Sequence, residues 1–159
     1  MMREHLYRGI PKSDSDRYFF ADIWKDNCEG SFVYGSLIIS NDRYYICVSA
    51  LCQINCCINN GMTSMIEVIP ETVGQYTGLT DKNGKKIFEG DIIIESDGGM
   101  DGIPREVLWD EVWMQFESRL VRKHWAYGRN SGRLWLMRDR DIEIIGNIHD
   151  NPELLKDQL

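Results

Sequence analysis

Apolar and polar residues alternate in short runs along most of the chain, and glycine, asparagine and aspartate separate the runs. Seven runs rich in β-branched and aromatic residues lie at 31–40, 43–50, 65–69, 92–94, 105–110, 112–117 and 142–145. Short runs of this kind, bounded by turn residues, predict a mainly β protein. Two short helical turns are also expected, at 70–75, which Pro70 opens, and at 150–153, where Asn151 precedes Pro152.

The order of these elements predicts two β regions followed by a tail. Residues 1–74 are expected to form an N-terminal β region. Residues 75–149 contain a hairpin, a glycine-rich loop, paired strands and a last strand, an order that favours a small SH3-like β-barrel. Residues 150–159 form a C-terminal tail with the second helical turn.

The stretch that carries most information is QYTGLTDKNGKKIFEGDIIIE at 75–95. Asn83-Gly84 is typical of a hairpin connection and predicts a positive φ at Gly84, and Gly90 predicts a second tight turn. Glu89 and Asp91 lie two residues apart, on one face of an extended chain, which is one requirement for paired acid–base carboxylates. The sequence favours a simpler role, in which these carboxylates accept hydrogen bonds from turn N–H groups.

This stretch resembles the signature of the YopX family, which bacteriophages and prophages encode. The resemblance continues in FVYGSL at 32–37, VIPETVG at 68–74 and IIGNIHDNPELL at 144–155. The signature positions are Tyr76, Gly78, Asp81, Asn83, Gly84, Glu89, Gly90 and Asp91. The resemblance implies a mostly β protein with no established activity and no catalytic residues to carry over.

Because the resemblance resumes at Gly30, it implies that the aromatic-containing segment 11–27 is an insertion. We expect this segment to fold onto the body of the protein, with an exposed docking loop as the alternative.

Composition places the chain among globular proteins and predicts a cytosolic one, and the resemblance implies that this cytosol is that of a bacterial host. Apolar residues make up 43% and aromatic residues 11% of 159 residues. No apolar run approaches the ~20 residues that span a bilayer, and the N-terminus lacks a signal sequence, so no membrane partner is expected. The odd number of cysteines fits a reducing compartment; they are Cys28, Cys47, Cys52, Cys56 and Cys57.

The residue types that usually carry catalysis or bind cofactors do not form a convincing pattern. Cys52 and Cys56 have the spacing of half a zinc site, but no second pair follows, so buried structural thiols are favoured over a metal site or a reactive thiol. Asp97 and Asp101 lack the alternating ladder of a calcium loop. No phosphate-binding or nucleophile motif is present. We therefore expect no metal, no cofactor and no enzymatic activity.

Charge is distributed unevenly along the chain. The net charge is −7, yet residues 119–140 contain seven Lys/Arg and one acid, which gives that segment +6 and the remainder −13. The candidate interaction surface in this segment consists of Arg119, Arg122, Lys123, Trp125, Tyr127, Arg129 and Arg133. We predict that it binds a protein partner or a second copy in a homo-oligomer. The alternative is a nucleic-acid-binding accessory protein, since cations interleaved with aromatics suit single strands.

Overall fold

The structure of the protein, a computed structural model, describes residues 5–13, 28–49, 63–95, 103–120, 131–133 and 142–155. The chain divides into two compact units, Met2–Gln75 and Tyr76–Leu159, called here the N-terminal and C-terminal units. The described residues are mainly β, as predicted. They include no helix that has the length and apolar character needed to span a membrane.

Twelve strands are present in the described part of the chain: β1 (Tyr7–Gly9), β2 (Cys28–Glu29), β3 (Phe32–Ser40), β4 (Arg43–Ser49), β5 (Thr63–Val68), β6 (Gly74–Thr80), β7 (Lys86–Phe88), β8 (Asp91–Glu95), β9 (Arg105–Asp110), β10 (Gln115–Leu120), β11 (Ser131–Arg133) and β12 (Ile142–Asn147). Short 3-10 turns at Pro70–Thr72 and Pro152–Leu155 confirm the two predicted helical turns, but the first is shorter than predicted, because Gly74 and Gln75 belong to β6.

In the N-terminal unit the antiparallel strands lie in the order β5-β4-β3-β1, with β2 on β3 and the first residues of β6 on β1. Asn41 and Asp42 both adopt positive φ in the connection between β3 and β4. A two-residue connection of this conformation matches the twist of the flanking strands. Gly35 is a point of close approach, because a Cβ there would collide with the carbonyl of Cys47.

The segment that follows β1 bonds back to β5. The Lys12 N–H donates to the Glu67 carbonyl at 2.9 Å, and the Ile69 N–H donates to the Ile10 carbonyl at 2.9 Å. This curls the sheet around a core made of Val33, Ile46, Val48, Ile66 and Val68.

In the C-terminal unit the strands of one sheet lie in the order β11-β10-β9-β8-β12, and β6 and β7 form a hairpin. The core of this unit consists of Ile87, Ile93, Val107, Phe116 and Ile142. Trp109 packs edge-on against Phe116, with ring centroids 4.9 Å apart. The SH3-like description of this unit stays a prediction.

One predicted strand is wrong at its start. The alternation at 112–117 predicts a strand from Val112, but residues 111–114 form a turn and β10 begins at Gln115. The cause is Asp110, whose Oδ1 accepts from the N–H groups of Val112 at 2.8 Å and Trp113 at 2.9 Å. A side-chain acceptor of this kind competes with the strand ladder.

Ser131–Arg133 form β11, so Gly132 lies within a strand. Most of the segment predicted as an insertion (14–27) lies outside the described residues, as do the glycine-rich loop at 96–102 and the segment 50–62.

Candidate functional site

The signature hairpin joins β6 to β7 through a tight turn. The Asp81 N–H donates to the Lys85 carbonyl at 2.8 Å, and the Gly84 N–H donates to the Asp81 carbonyl at 3.0 Å. Gly84 has a φ of 81°, which confirms the predicted left-handed conformation. This pattern is that of a three-residue hairpin loop that ends in a left-handed glycine.

The buried carboxylate of Asp81 organises this turn. Its Oδ1 accepts from the N–H groups of Asn83 at 2.8 Å and Lys85 at 2.9 Å. Its Oδ2 accepts from the Ile144 N–H and from the Asn83 side-chain amide, each at 3.4 Å. Burial raises the pKa of Asp81, but the hydrogen bonds from Lys85, Asn83 and Ile144 outweigh it and hold the pKa below its ordinary value.

The same turn lies along the edge of β12. The Lys82 N–H donates to the Ile142 carbonyl at 2.8 Å, and the Lys82 Nζ lies 2.7 Å from a carboxylate oxygen of Glu143. Together with the bond from Ile144 to Asp81, these contacts satisfy main-chain groups at a sheet edge that would otherwise face water or another strand. The Asp-Lys-Asn-Gly-Lys sequence therefore fastens a hairpin to a strand edge.

The second signature turn uses its carboxylates in the same way. Asp91 is buried and its Oδ2 accepts from the Phe88 N–H at 2.7 Å, while a Glu89 carboxylate oxygen accepts from the Trp109 N–H at 3.4 Å. Gly90 has a φ of 82°, and its N–H donates to the Val107 carbonyl at 2.8 Å. Both carboxylates that flank Gly90 thus bond main-chain N–H groups.

The predicted basic surface is described only at its two borders. Arg119 lies on β10 and Arg133 on β11, whereas Arg122, Lys123, Trp125, Tyr127 and Arg129 lie outside the described residues.

Acidic residues lie beside both of these arginines. Arg119 contacts a carboxylate oxygen of Glu117 at 3.1 Å and lies opposite Glu106 on β9, and Arg133 lies opposite Glu117 in register. Burial and the nearby Glu89 raise the pKa of Glu106, while Arg119 opposes that rise. Strand register therefore pairs each of these arginines with an acidic residue on a neighbouring strand.

Among the described residues of the C-terminal unit, the most exposed large apolar side chains lie at the tip of the β9–β10 hairpin, and sequence reasoning missed them. Val112, Trp113 and Met114 are 82%, 65% and 69% exposed, and we call them the apolar tip. Asp110 holds the start of the turn through two N–H groups. Asp110 was the available signal, because an aspartate carboxylate can accept main-chain N–H groups two or three residues further on and so favours a turn.

Of the five cysteines, only Cys47 is described with its side chain; it is a half-buried thiol on β4. Cys28 lies in β2, and Cys52, Cys56 and Cys57 lie outside the described residues, so the Cys52/Cys56 hypothesis concerns residues that the structure does not describe. Over the described ranges, no three His, Cys, Asp or Glu side chains are grouped so as to hold a metal ion.

A family model and solved structures are similar to this chain. The family described as "YopX: YopX protein" matches residues 23–156. Among solved structures, the crystal structure of protein EF1440 from Enterococcus faecalis is 28% identical, with a TM-score of 0.37, and the match covers 61% of this chain and 71% of that chain. No curated protein matches.

Proposed function

The chain belongs to the YopX family, and on that premise we propose that it is a non-enzymatic accessory protein that binds a protein partner or itself. In this proposal it is a phage or prophage product that acts in the cytoplasm of the bacterial host. The uneven cysteine number supports a reducing compartment, and the family supports a phage-type accessory role.

The apolar tip is the observation that carries this proposal. Burying three neighbouring apolar side chains stabilises a protein, yet here a hairpin presents Val112, Trp113 and Met114 to solvent. The turn is also preorganised by Asp110, so little conformational entropy is lost when a partner covers it. Tryptophan is among the residues that contribute most to binding at protein interfaces.

The signature carboxylates support a non-enzymatic role. A catalytic acid or base must reach a proton on the substrate. Asp81 and Asp91 are buried and accept hydrogen bonds from main-chain N–H groups, so their oxygens serve the fold.

The alternative function, nucleic-acid binding by residues 119–140, is favoured by the charge of +6 in that segment. Phosphate binding requires cations whose charge is not already neutralised. At the described border of the segment, Arg119 contacts Glu117 and lies opposite Glu106. Protein binding therefore remains the proposal, and nucleic-acid binding is an outcome that the experiment must distinguish.

The test is affinity recovery of partners from phage-infected cells, with and without nuclease. The wild type is compared with Trp113→Ala and with Ile39→Thr, which alters an exposed apolar residue on β3, remote in sequence from the tip. We expect protein partners, or untagged copies of the same chain, to be recovered by the wild type and by Ile39→Thr but not by Trp113→Ala.

Two results would contradict this proposal. Partners lost after nuclease treatment would favour the nucleic-acid alternative. Equal recovery by the wild type and Trp113→Ala would remove the apolar tip as the binding element.

A further inference from the structure

We propose that the apolar tip of one copy docks on the outer face of the β3–β4–β5 sheet of a second copy. The inference rests on the proposed function and specifies the partner as this chain itself. Its basis is that the two surfaces are both exposed, both apolar at their centres and opposite in charge at their borders.

The receiving surface is the face of the sheet opposite the N-terminal core. Ile46 and Ile66 are buried in that core, and the residues that alternate with them point to the other side. We call this side the outer face; its apolar residues are Ile38, Tyr45, Cys47 and Met65. Met65 is 51% exposed and Ile38 is 37% exposed, so the face has apolar area available to a partner.

One border of the outer face is cationic. Lys12 Nζ lies 2.9 Å and Arg43 Nη1 3.6 Å from the carboxylate of Glu67, so two cations share one acid and the group carries +1. The hydrogen bond from Lys12 lowers the pKa of Glu67, which keeps that acid charged. Both cations are well exposed, and exposed ion pairs of this kind contribute little stability, so they can turn toward another carboxylate at low cost.

The tip carries the complementary charge. Asp110 and Glu111 immediately precede it and give the turn −2. Asp110 is fixed by its bonds to the turn, and Glu111 is exposed. When Trp113 and Met114 contact Met65 and its neighbours, the acidic residues of one copy can meet the cationic border of the other. Complementary charge of this kind fixes orientation and selects the partner.

The two surfaces are different, so the contact is heterologous: each copy has one tip and one outer face and joins its neighbours head to tail. Three side chains make a small contact, below the ~1,200 Å² of standard stable interfaces. The expected association is therefore weak, concentration-dependent and able to extend beyond a dimer.

The experiment is sedimentation of the purified full-length chain over a wide concentration range. Trp113→Ala removes the largest apolar side chain of the tip. Met65→Asp places a negative charge on the outer face, and this charge repels the acidic residues beside the tip. Ile39→Thr is the control, because Ile39 is exposed but lies opposite Tyr44 and points to the other side of the sheet. We expect each of the first two variants to weaken association by at least about tenfold, with Ile39→Thr unchanged and all melting temperatures close to that of the wild type.

A mixture of two variants gives the sharper test. The Trp113→Ala chain keeps its outer face and the Met65→Asp chain keeps its tip, so a heterologous contact predicts that the mixture forms a dimer although each variant alone is monomeric. A mixture that stays monomeric while the wild type associates would overturn the tip-to-face contact.

Failure of this inference can be separated from failure of the proposed function. A wild type that stays monomeric at every concentration, together with Trp113-dependent recovery of another protein, would overturn self-docking and leave the protein-binding proposal in place. A monomeric wild type whose Trp113→Ala variant recovers the same material from cells would overturn both.

Discussion

At the scale of single residues, three aspartates stabilise three of the described turns of the C-terminal unit in the same way. The carboxylates of Asp81, Asp91 and Asp110 each accept main-chain N–H groups close by in sequence. Asp81 also accepts the distant N–H of Ile144. An ionised carboxylate accepts several hydrogen bonds, and such bonds are stronger than neutral ones. Each aspartate can therefore fix several residues that would otherwise have no regular partner.

Replacing Asp81 with asparagine is expected to lower the free energy of unfolding by about 2 kcal/mol, because hydrogen bonds to a charged group contribute more than neutral ones. In the asparagine variant an NH₂ group replaces one carboxylate oxygen, and this group faces N–H donors to which it cannot bond. Urea denaturation measures the change. Asp42→Asn is the control, since Asp42 lies in an exposed turn where asparagine adopts the same positive φ, and it should leave stability nearly unchanged.

The pH dependence follows from the same site. The folded-state pKa of Asp81 lies below the ordinary 3.8, so the unfolded chain takes up the proton first as the pH falls. The stabilisation is fully present above the ordinary pKa and is lost as the pH falls through the folded-state pKa. Below about pH 4, the wild type should therefore lose more stability than Asp81→Asn. Parallel stability curves for the two proteins would contradict this role of the Asp81 charge.

Gly84 tests the turn through the backbone alone. A Cβ at this position would meet no atom within 4 Å, so substitution there changes only the cost of a φ of 81°. Valine should destabilise the protein by roughly 1–2 kcal/mol, and asparagine by clearly less, because asparagine tolerates the left-handed region. Thermal unfolding of the two variants measures the difference. Equal melting temperatures for the valine and asparagine variants would show that the positive φ at residue 84 does not contribute to stability.

At the scale of secondary-structure elements, alternation and turn residues were enough to predict β3, β4, β9 and β12 from the sequence. These strands each keep one face toward a core, and the alternation records that burial. The start of β10 was not predictable in the same way. Val112-Trp113-Met114 has the composition of a strand, and only the acceptor at Asp110 turns it outward. The hydrogen bonds that join residues 81–82 to β12 could not be predicted from the sequence either, because they link positions some sixty residues apart.

The β9–β10 hairpin contains one tryptophan packed in the core and one that is mostly exposed, so replacing each in turn separates the two contributions to stability. Trp109 contacts Phe116 in the core, whereas Trp113 is mostly exposed at the tip. Trp109→Ala should lower the free energy of unfolding by about 3 kcal/mol. Trp113→Ala should lower it by clearly less, because most of the Trp113 side chain is exposed. Chemical denaturation of both variants measures this, and a large loss for Trp113→Ala would show that the tip is part of the fold.

At the scale of the whole molecule, the charge counted along a segment differs from the charge found around it once the strands have paired. Residues 119–140 carry +6 in sequence, but strand pairing places Glu106 opposite Arg119 and Glu117 opposite Arg133. A count along one segment cannot include acids that arrive on a neighbouring strand. The sequence therefore shows where cations are concentrated along the chain, but not which acids strand pairing places opposite them.

The salt dependence of binding separates the two candidate functions. If residues 119–140 bind single-stranded nucleic acid, log affinity should fall with log salt at a slope of about −0.7 per phosphate contact, and replacing Arg129 and Arg133 together should flatten that slope by one or two contacts. If the segment serves assembly, the same double variant should shift the sedimentation profile and leave no nucleic-acid binding to lose. We expect no nucleic-acid binding by the wild type, because the rest of the chain carries −13 and repels polyanions, and because Arg133 lies opposite Glu117. Salt-sensitive binding of nucleic acid by the wild type near physiological ionic strength, absent from the double variant, would establish the alternative instead.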